Sequence, residues 1–203
     1  MNCVNFKNTA IQPSKVICIG RNYAAHIAEL SNDVPSEPVI FIKPNSAISA
    51  ELNTHAQDDI HFETELCFLI ENNQFAGIGL GLDLTKRAVQ DKLKEKGLPW
   101  ERAKAFDHSA LFTDFVSLPD SLTNLHFTLH INEQLTQQGS YELMLHKPQN
   151  VLKEIHSFMS TENGDIIMTG TPKGVGFVHS GDVFKVALYG GRQLLIEHQW
   201  IVN

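Results

Sequence analysis

The chain is poor in cysteine. Its 203 residues hold only Cys3, Cys18 and Cys67, with no Cys-x-x-Cys spacing. An odd, scattered set of this kind excludes a disulfide framework and a zinc knuckle. Two of the three lie in apolar runs (Val16-Ile17-Cys18-Ile19 and Leu66-Cys67-Phe68) and read as reduced, buried thiols. No apolar run approaches membrane-spanning length, and the first fifteen residues lack the hydrophobic stretch of a signal peptide. Basic charge is also short: sixteen Lys and Arg against twenty-three Asp and Glu give a net charge of −7. That argues against a phosphate-backbone partner, and the mild acidity favours solubility. A cytoplasmic protein with no nucleic acid and no membrane as partner is expected.

The sequence does hold enough apolar residues for a real core. Hydrophobic residues make up 42% and charged residues 19%, ordinary for a globular chain. The length fits a single domain over 1–203, with residues 1–13 as an N-terminal extension. Short β-rich runs predict strands at 14–19, 39–43, 61–70, 75–82, 126–131, 135–138, 166–168, 182–188 and 193–201. Helices are predicted from Asn22, as cap, to about Leu30, from Asp83, as cap, through 84–96 to a stop at Gly97, and over 148–158. In the last of these Val151, Leu152, Ile155 and Phe158 recur at core spacing. Asn72-Asn73 and Asn132-Glu133 read as hairpin turns, and Asp58-Asp59 as a turn. Strands dominate, no repeat is present, and the class is α+β with a mostly antiparallel or mixed sheet.

Three groups of residues carry candidate chemistry. Within the 61–70 strand, alternation sends Glu63 and Glu65 to one face, roughly 7 Å apart. Two carboxylates beside a buried segment repel each other and resist desolvation, and a hard divalent cation relieves both. Alone, they could equally face solvent at a strand end. On the first helix His26 and Glu29 share a face, giving either an oriented base or a common surface ion pair. Asp83, Arg87 and Gln90 fall at i, i+4 and i+7, so a helix would align all three. Lys104, between alanines in the 97–107 loop, could be a desolvated charge-stabilising lysine or an ordinary surface one. Glycines 77, 79 and 81 lack the spacing of a dinucleotide fingerprint, and in a strand they permit close approach to one face. The 169–176 segment is no Walker loop, yet it offers hydroxyls and amides to an anion.

Taken in order, Ile19-Gly20-Arg21-Asn22-Tyr23-Ala24-Ala25-His26, Glu63-Thr64-Glu65-Leu66, Asp83-Leu84-Thr85-Lys86-Arg87-Ala88-Val89-Gln90, Gly97-Leu98-Pro99-Trp100 with Ala103-Lys104, and Thr169-Gly170-Thr171-Pro172-Lys173-Gly174-Val175-Gly176 resemble the fumarylacetoacetate hydrolase family, in particular its acylpyruvate hydrolase branch. The resemblance spans about residues 15 to 188. It implies a β-rich rolled mixed sheet, Mg²⁺ or Mn²⁺ as cofactor, and a homodimer. By that resemblance Glu63, Glu65 and Asp83 are metal ligands, His26 and Glu29 activate water, and Lys104 stabilises developing charge. Arg87, Gln90 and Thr171 hold a small 2-oxo acid substrate, and Arg21 receives no role. Ala88 stands where many relatives have an acid, which bears on substrate choice. The implied activity is hydrolysis of a C–C bond in acylpyruvate-type 2,4-dioxo acids through a metal-bound enolate. The alternatives are oxaloacetate decarboxylation or tautomerisation, or oxo-diacid isomerisation, at the same site. A non-catalytic 2-oxo acid binding protein is a further one. Substrate choice is expected to lie in the 31–38 loop and the 105–115 segment.

Overall fold

The computed structural model describes residues 1–54 and 59–203. Asp58 of the expected Asp58-Asp59 turn lies outside them. The main sheet is mixed and strongly curled. Its strands run in the order Val39–Pro44, Lys15–Gly20, Ile166–Met168, Thr64–Glu71, Gln74–Asp83, Ala110–Phe112 and Ile48–Ser49, with Val116–Ser117 also paired to Gln74–Asp83. Ile166–Met168 runs parallel to Lys15–Gly20 and antiparallel to Thr64–Glu71. The α+β class with a rolled mixed sheet is therefore what the chain adopts.

Central strands are apolar on both faces because both faces are covered. Val16 and Cys18 point to one side with Cys67, Leu69 and Met168. Ile17 and Ile19 point to the other, against Val151 and Ile155 of the Pro148–Phe158 helix. Leu66, Phe68, Leu80 and Leu82 pack in the largest core cluster with Phe127, Leu129, Phe184 and Val186. The last four belong to an antiparallel sheet ordered Gln134–Ser140, Leu125–Ile131, Val183–Gly190 and Gln193–Ile201. The first residues are not a loose appendage. Val4–Phe6 pairs with Thr9–Ile11, and Val4 and Phe6 are buried. A Cβ at Gly77 would stand 2.9 Å from the Phe6 ring, and one at Gly79 would stand 3.1 Å from Phe115. The alternate glycines are thus where two aromatic rings seat against the sheet.

Several local expectations need correction. The strand foreseen at 61–70 is two strands, Ile60–Phe62 and Thr64–Glu71, with Glu63 between them. The first helix is Ala24–Glu29 and is capped by Tyr23. The Asn22 side chain instead donates to the carbonyls of His146 and Thr169, and its oxygen accepts from the His146 amide. Asp83 does not cap a helix. It ends the Gln74–Asp83 strand, a short strand Thr85–Lys86 follows, and the helix is Arg87–Glu95 with Lys86 at its cap. The 97–107 loop contains the short helix Glu101–Lys104. Phe158 is exposed rather than core. Among the described residues, no helix is long and apolar enough to cross a membrane.

Candidate active site

The break after Phe62 and the end of the Gln74–Asp83 strand lie side by side. The Asp83 amide donates to the Glu63 carbonyl at 2.8 Å, and Glu65 pairs with Gly81. Glu63, Glu65 and Asp83 are all buried, and one carboxylate oxygen from each lies within 4.8 Å of the others. Three lysine and arginine side chains answer this charge. Lys104 Nζ donates to Glu63 Oε2 at 2.7 Å and to Asp83 Oδ2 at 2.8 Å. Arg87 Nη2 donates to Glu63 Oε1, and its Nη1 donates to Gln90 Oε1 at 2.6 Å. Lys43 Nζ lies 2.8 Å from Asp83 Oδ1. Glu65 receives the Gly170 amide at 2.7 Å. Gly170 adopts a φ of +94°, and a Cβ there would meet Asn22 at 2.8 Å, so a side chain is excluded where that amide turns inward.

The three acids differ in electrostatic surroundings. Burial pushes the Glu63 carboxyl up, but Lys104, Arg87 and His26 outweigh it and hold it well below the usual carboxylate range. Burial pushes Glu65 well up, and the negative charges of Asp83 and Glu63 push it further. Burial disfavours the Lys104 ammonium, yet Asp83 and Glu63 raise its pKa on balance. Asp83 Oδ1 is buried and has no hydrogen-bond partner among the described residues. A cluster with one acid pressed toward its neutral form and one carboxylate oxygen met by the Lys43 charge but by no directed hydrogen bond fits a hard divalent cation, which accepts oxygen donors and displaces protons on binding.

Beside the cluster is a recess lined by Arg21, His26, Phe41, Glu63, Arg87, Gln90, Trp100 and Lys104, among others. His26 Nδ1 faces Glu29 Oε2 at 3.1 Å, and Glu29 Oε1 accepts the Gly174 amide at 2.9 Å. With Nδ1 carrying the proton toward the carboxylate, Nε2 is left as the basic nitrogen. Five of the anticipated residues, His26, Glu63, Arg87, Gln90 and Lys104, therefore line one recess, Glu65 and Asp83 adjoin Glu63 in the carboxylate cluster, and Glu29 reaches His26 from an exposed position. Arg87 and Gln90 are neighbours on a helix as expected, but Asp83 joins them from a strand end. Thr171 is placed differently. It donates to the Thr64 carbonyl at 3.0 Å and accepts from Gln137 Nε2 at 2.9 Å, and it is not among the lining residues. The 31–38 loop supplies Asn32 to the lining, bonded to Arg21 at 3.2 Å, whereas 105–115 supplies none.

Lys43 was missed by sequence reasoning. The available signal was a lysine two residues from Phe41 in an otherwise apolar strand, which puts both side chains on one face.

Residues 15–195 match the family described as Fumarylacetoacetate (FAA) hydrolase C-terminal. The chain belongs to that family. Oxaloacetate tautomerase YcgM of Escherichia coli (strain K12) is 38% identical over 195 residues, covering 87% of this chain and 89% of that one. The mitochondrial oxaloacetate tautomerase of Bos taurus is 37% identical over 193 residues, covering 86% and 87%. The crystal structure of fumarylpyruvate hydrolase from Pseudomonas aeruginosa with Mn²⁺ and pyruvate superposes with a TM-score of 0.90 at 28% identity, covering 99% of this chain and 95% of that one. The recess thus lies in a fumarylacetoacetate hydrolase-family enzyme fold.

Proposed function

We propose that this family member interconverts the keto and enol forms of oxaloacetate or a closely similar 2-oxo diacid. The supporting observation is the joint presence, in one recess, of a free imidazole nitrogen, a buried lysine and two arginines beside three carboxylates. Relatives at 37–38% identity that bear the name oxaloacetate tautomerase point the same way. Ketonisation and enolisation move one proton between C3 and the oxygen on C2 as the double bond shifts between C2–O and C2–C3, and no σ bond between heavy atoms forms or breaks. His26 Nε2 takes the C3 proton, with Glu29 fixing the ring. Lys104 holds the oxygen that gains negative charge and can return a proton to it. Arg87 and Arg21 offer guanidinium groups to the carboxylates of a diacid. Glu63, Glu65 and Asp83 would hold a divalent cation, Mg²⁺ or Mn²⁺, which when bound would supply Lewis acidity to the substrate.

Hydrolysis of a 2,4-dioxo acid is the second reading, and the oriented His26–Glu29 pair favours it, since water activation needs such a base. Both readings are tested by following the ultraviolet absorbance of enol-oxaloacetate and of an acylpyruvate panel, with Mg²⁺, with Mn²⁺ and after chelation. Accelerated decay of the enol, lost with chelator and restored by metal, is expected. No acceleration above the buffer rate would sink the tautomerase reading, and pyruvate release from an acylpyruvate would move the assignment to hydrolysis.

A further inference from the structure

Lys43 inverts the ordinary order of an edge strand. In Val39–Pro44 the apolar Ile42 is 39% exposed, while Lys43 is wholly buried. An amine taken out of water is costly unless it is fully bonded. A lysine amine has three protons to give. Here the acceptors are the Leu84 carbonyl at 3.3 Å, Ser109 Oγ at 3.0 Å and the Lys104 carbonyl. Ser109 Oγ donates its own proton to the Lys104 carbonyl at 2.9 Å, which turns a lone pair toward Lys43. The three protons are therefore spoken for, and Asp83 Oδ1 at 2.8 Å is met by charge without a directed hydrogen bond.

Those partners join the segments that build the site. Leu84 follows Asp83 directly. The Lys104 carbonyl belongs to the residue whose amine bridges Glu63 and Asp83. Ser109 accepts the Leu84 amide at 2.9 Å through its own carbonyl. We infer that Lys43 is a positioning residue for the cation site: it ties the backbones of Leu84 and Lys104 together and balances the charge of Asp83 while leaving Asp83 Oδ1 without a directed hydrogen bond and so open to a divalent ion. The inference rests on the reading of Glu63, Glu65 and Asp83 as cation ligands.

The alternative is that Lys43 merely neutralises negative charge, and the two roles give opposite signs. If charge alone mattered, removing the amine would leave a more negative cluster and tighten cation binding. If position matters, binding weakens, and loss of a residue that orients ligands commonly costs about 10- to 100-fold in metal affinity. The experiment is calorimetric titration of the full-length chain with Mn²⁺ alone, for wild type, Lys43→Met and Ser109→Ala, with thermal unfolding of each metal-free protein as the folding control. Affinity lowered by about 10-fold or more in Lys43→Met and by a smaller factor in Ser109→Ala supports the inference. Equal or tighter binding by a folded Lys43→Met overturns it. Should Lys43→Met not fold, Ser109→Ala decides: weakened binding supports the inference and unchanged binding overturns it. Wild type that binds no Mn²⁺ overturns the cation reading as well, so the two failures are distinguishable.

Discussion

In the Leu125–Ile131 strand, Leu125, Phe127 and Leu129 are buried and His126, Thr128 and His130 turn toward the more open face. In the main sheet, the buried faces at the ends of Thr64–Glu71 and Gln74–Asp83 carry Glu63, Glu65 and Asp83, closed over by Lys43 and Lys104. One region spends its burial on hydrophobic contact, the other on compensated charge. The first stabilises the fold at little risk to chemistry. The second holds like charges together, which the fold tolerates because lysine and arginine stand within bonding distance. Stability and activity should accordingly come apart when each region is altered.

His26→Ala should slow enol–keto interconversion by about 10²- to 10⁴-fold, the usual range for loss of a positioned base, with little change in the unfolding midpoint. Steady-state rates beside a thermal melt check both halves. Phe127→Ala should do the reverse, costing about 3–5 kcal/mol of stability and leaving Mn²⁺ affinity intact in the surviving folded fraction. A variant that lost cation binding in proportion to stability would erase the contrast between the regions.

A smaller effect is expected at Asp165, which belongs to neither region. Burial pushes its carboxyl up, but bonds from Lys15, the Glu162 amide and Ser14 outweigh that and hold it below the usual range. A lowered folded-state pKa contributes stability above the unfolded value of about 4, and that contribution is lost as pH falls through the lowered one. Asp165→Asn should therefore cost about 1–3 kcal/mol near neutrality, and denaturant titrations should show the gap between variant and wild type closing below about pH 4. Phe158→Ser should change stability by no more than about 0.5 kcal/mol, because the ring is 61% exposed at the end of its helix. A larger loss in the same titration would mean that this ring is covered in solution.

Legibility in the sequence followed the same division. The Pro148–Phe158 helix is readable to its end residues, since a proline start and apolar spacing are local signals. Asn72-Asn73 turns with positive φ at both residues, as its composition implies. The carboxylate cluster is readable as membership and not as geometry. Glu63 stands in the break between Ile60–Phe62 and Thr64–Glu71, with Glu65 in the second of these strands, where simple alternation had placed both on one continuous strand. Asp83 arrives from a strand end where helix chemistry had suggested a cap. Lys43 gave one local sign, its place in an otherwise apolar strand, but not its role, because its partners Asp83, Lys104 and Ser109 lie far along the chain and are brought to it only by folding.

The rings of Phe6 and Phe115 in the glycine grooves have a practical corollary. The family match begins at residue 15, but the packing unit begins by Val4, whose side chain is buried with that of Phe6. An expression clone trimmed to the homology boundary would discard the plug that fills the hollow over Gly77 and bare an apolar trough on the sheet's rear, inviting aggregation in a polypeptide whose candidate-site residues are all still encoded.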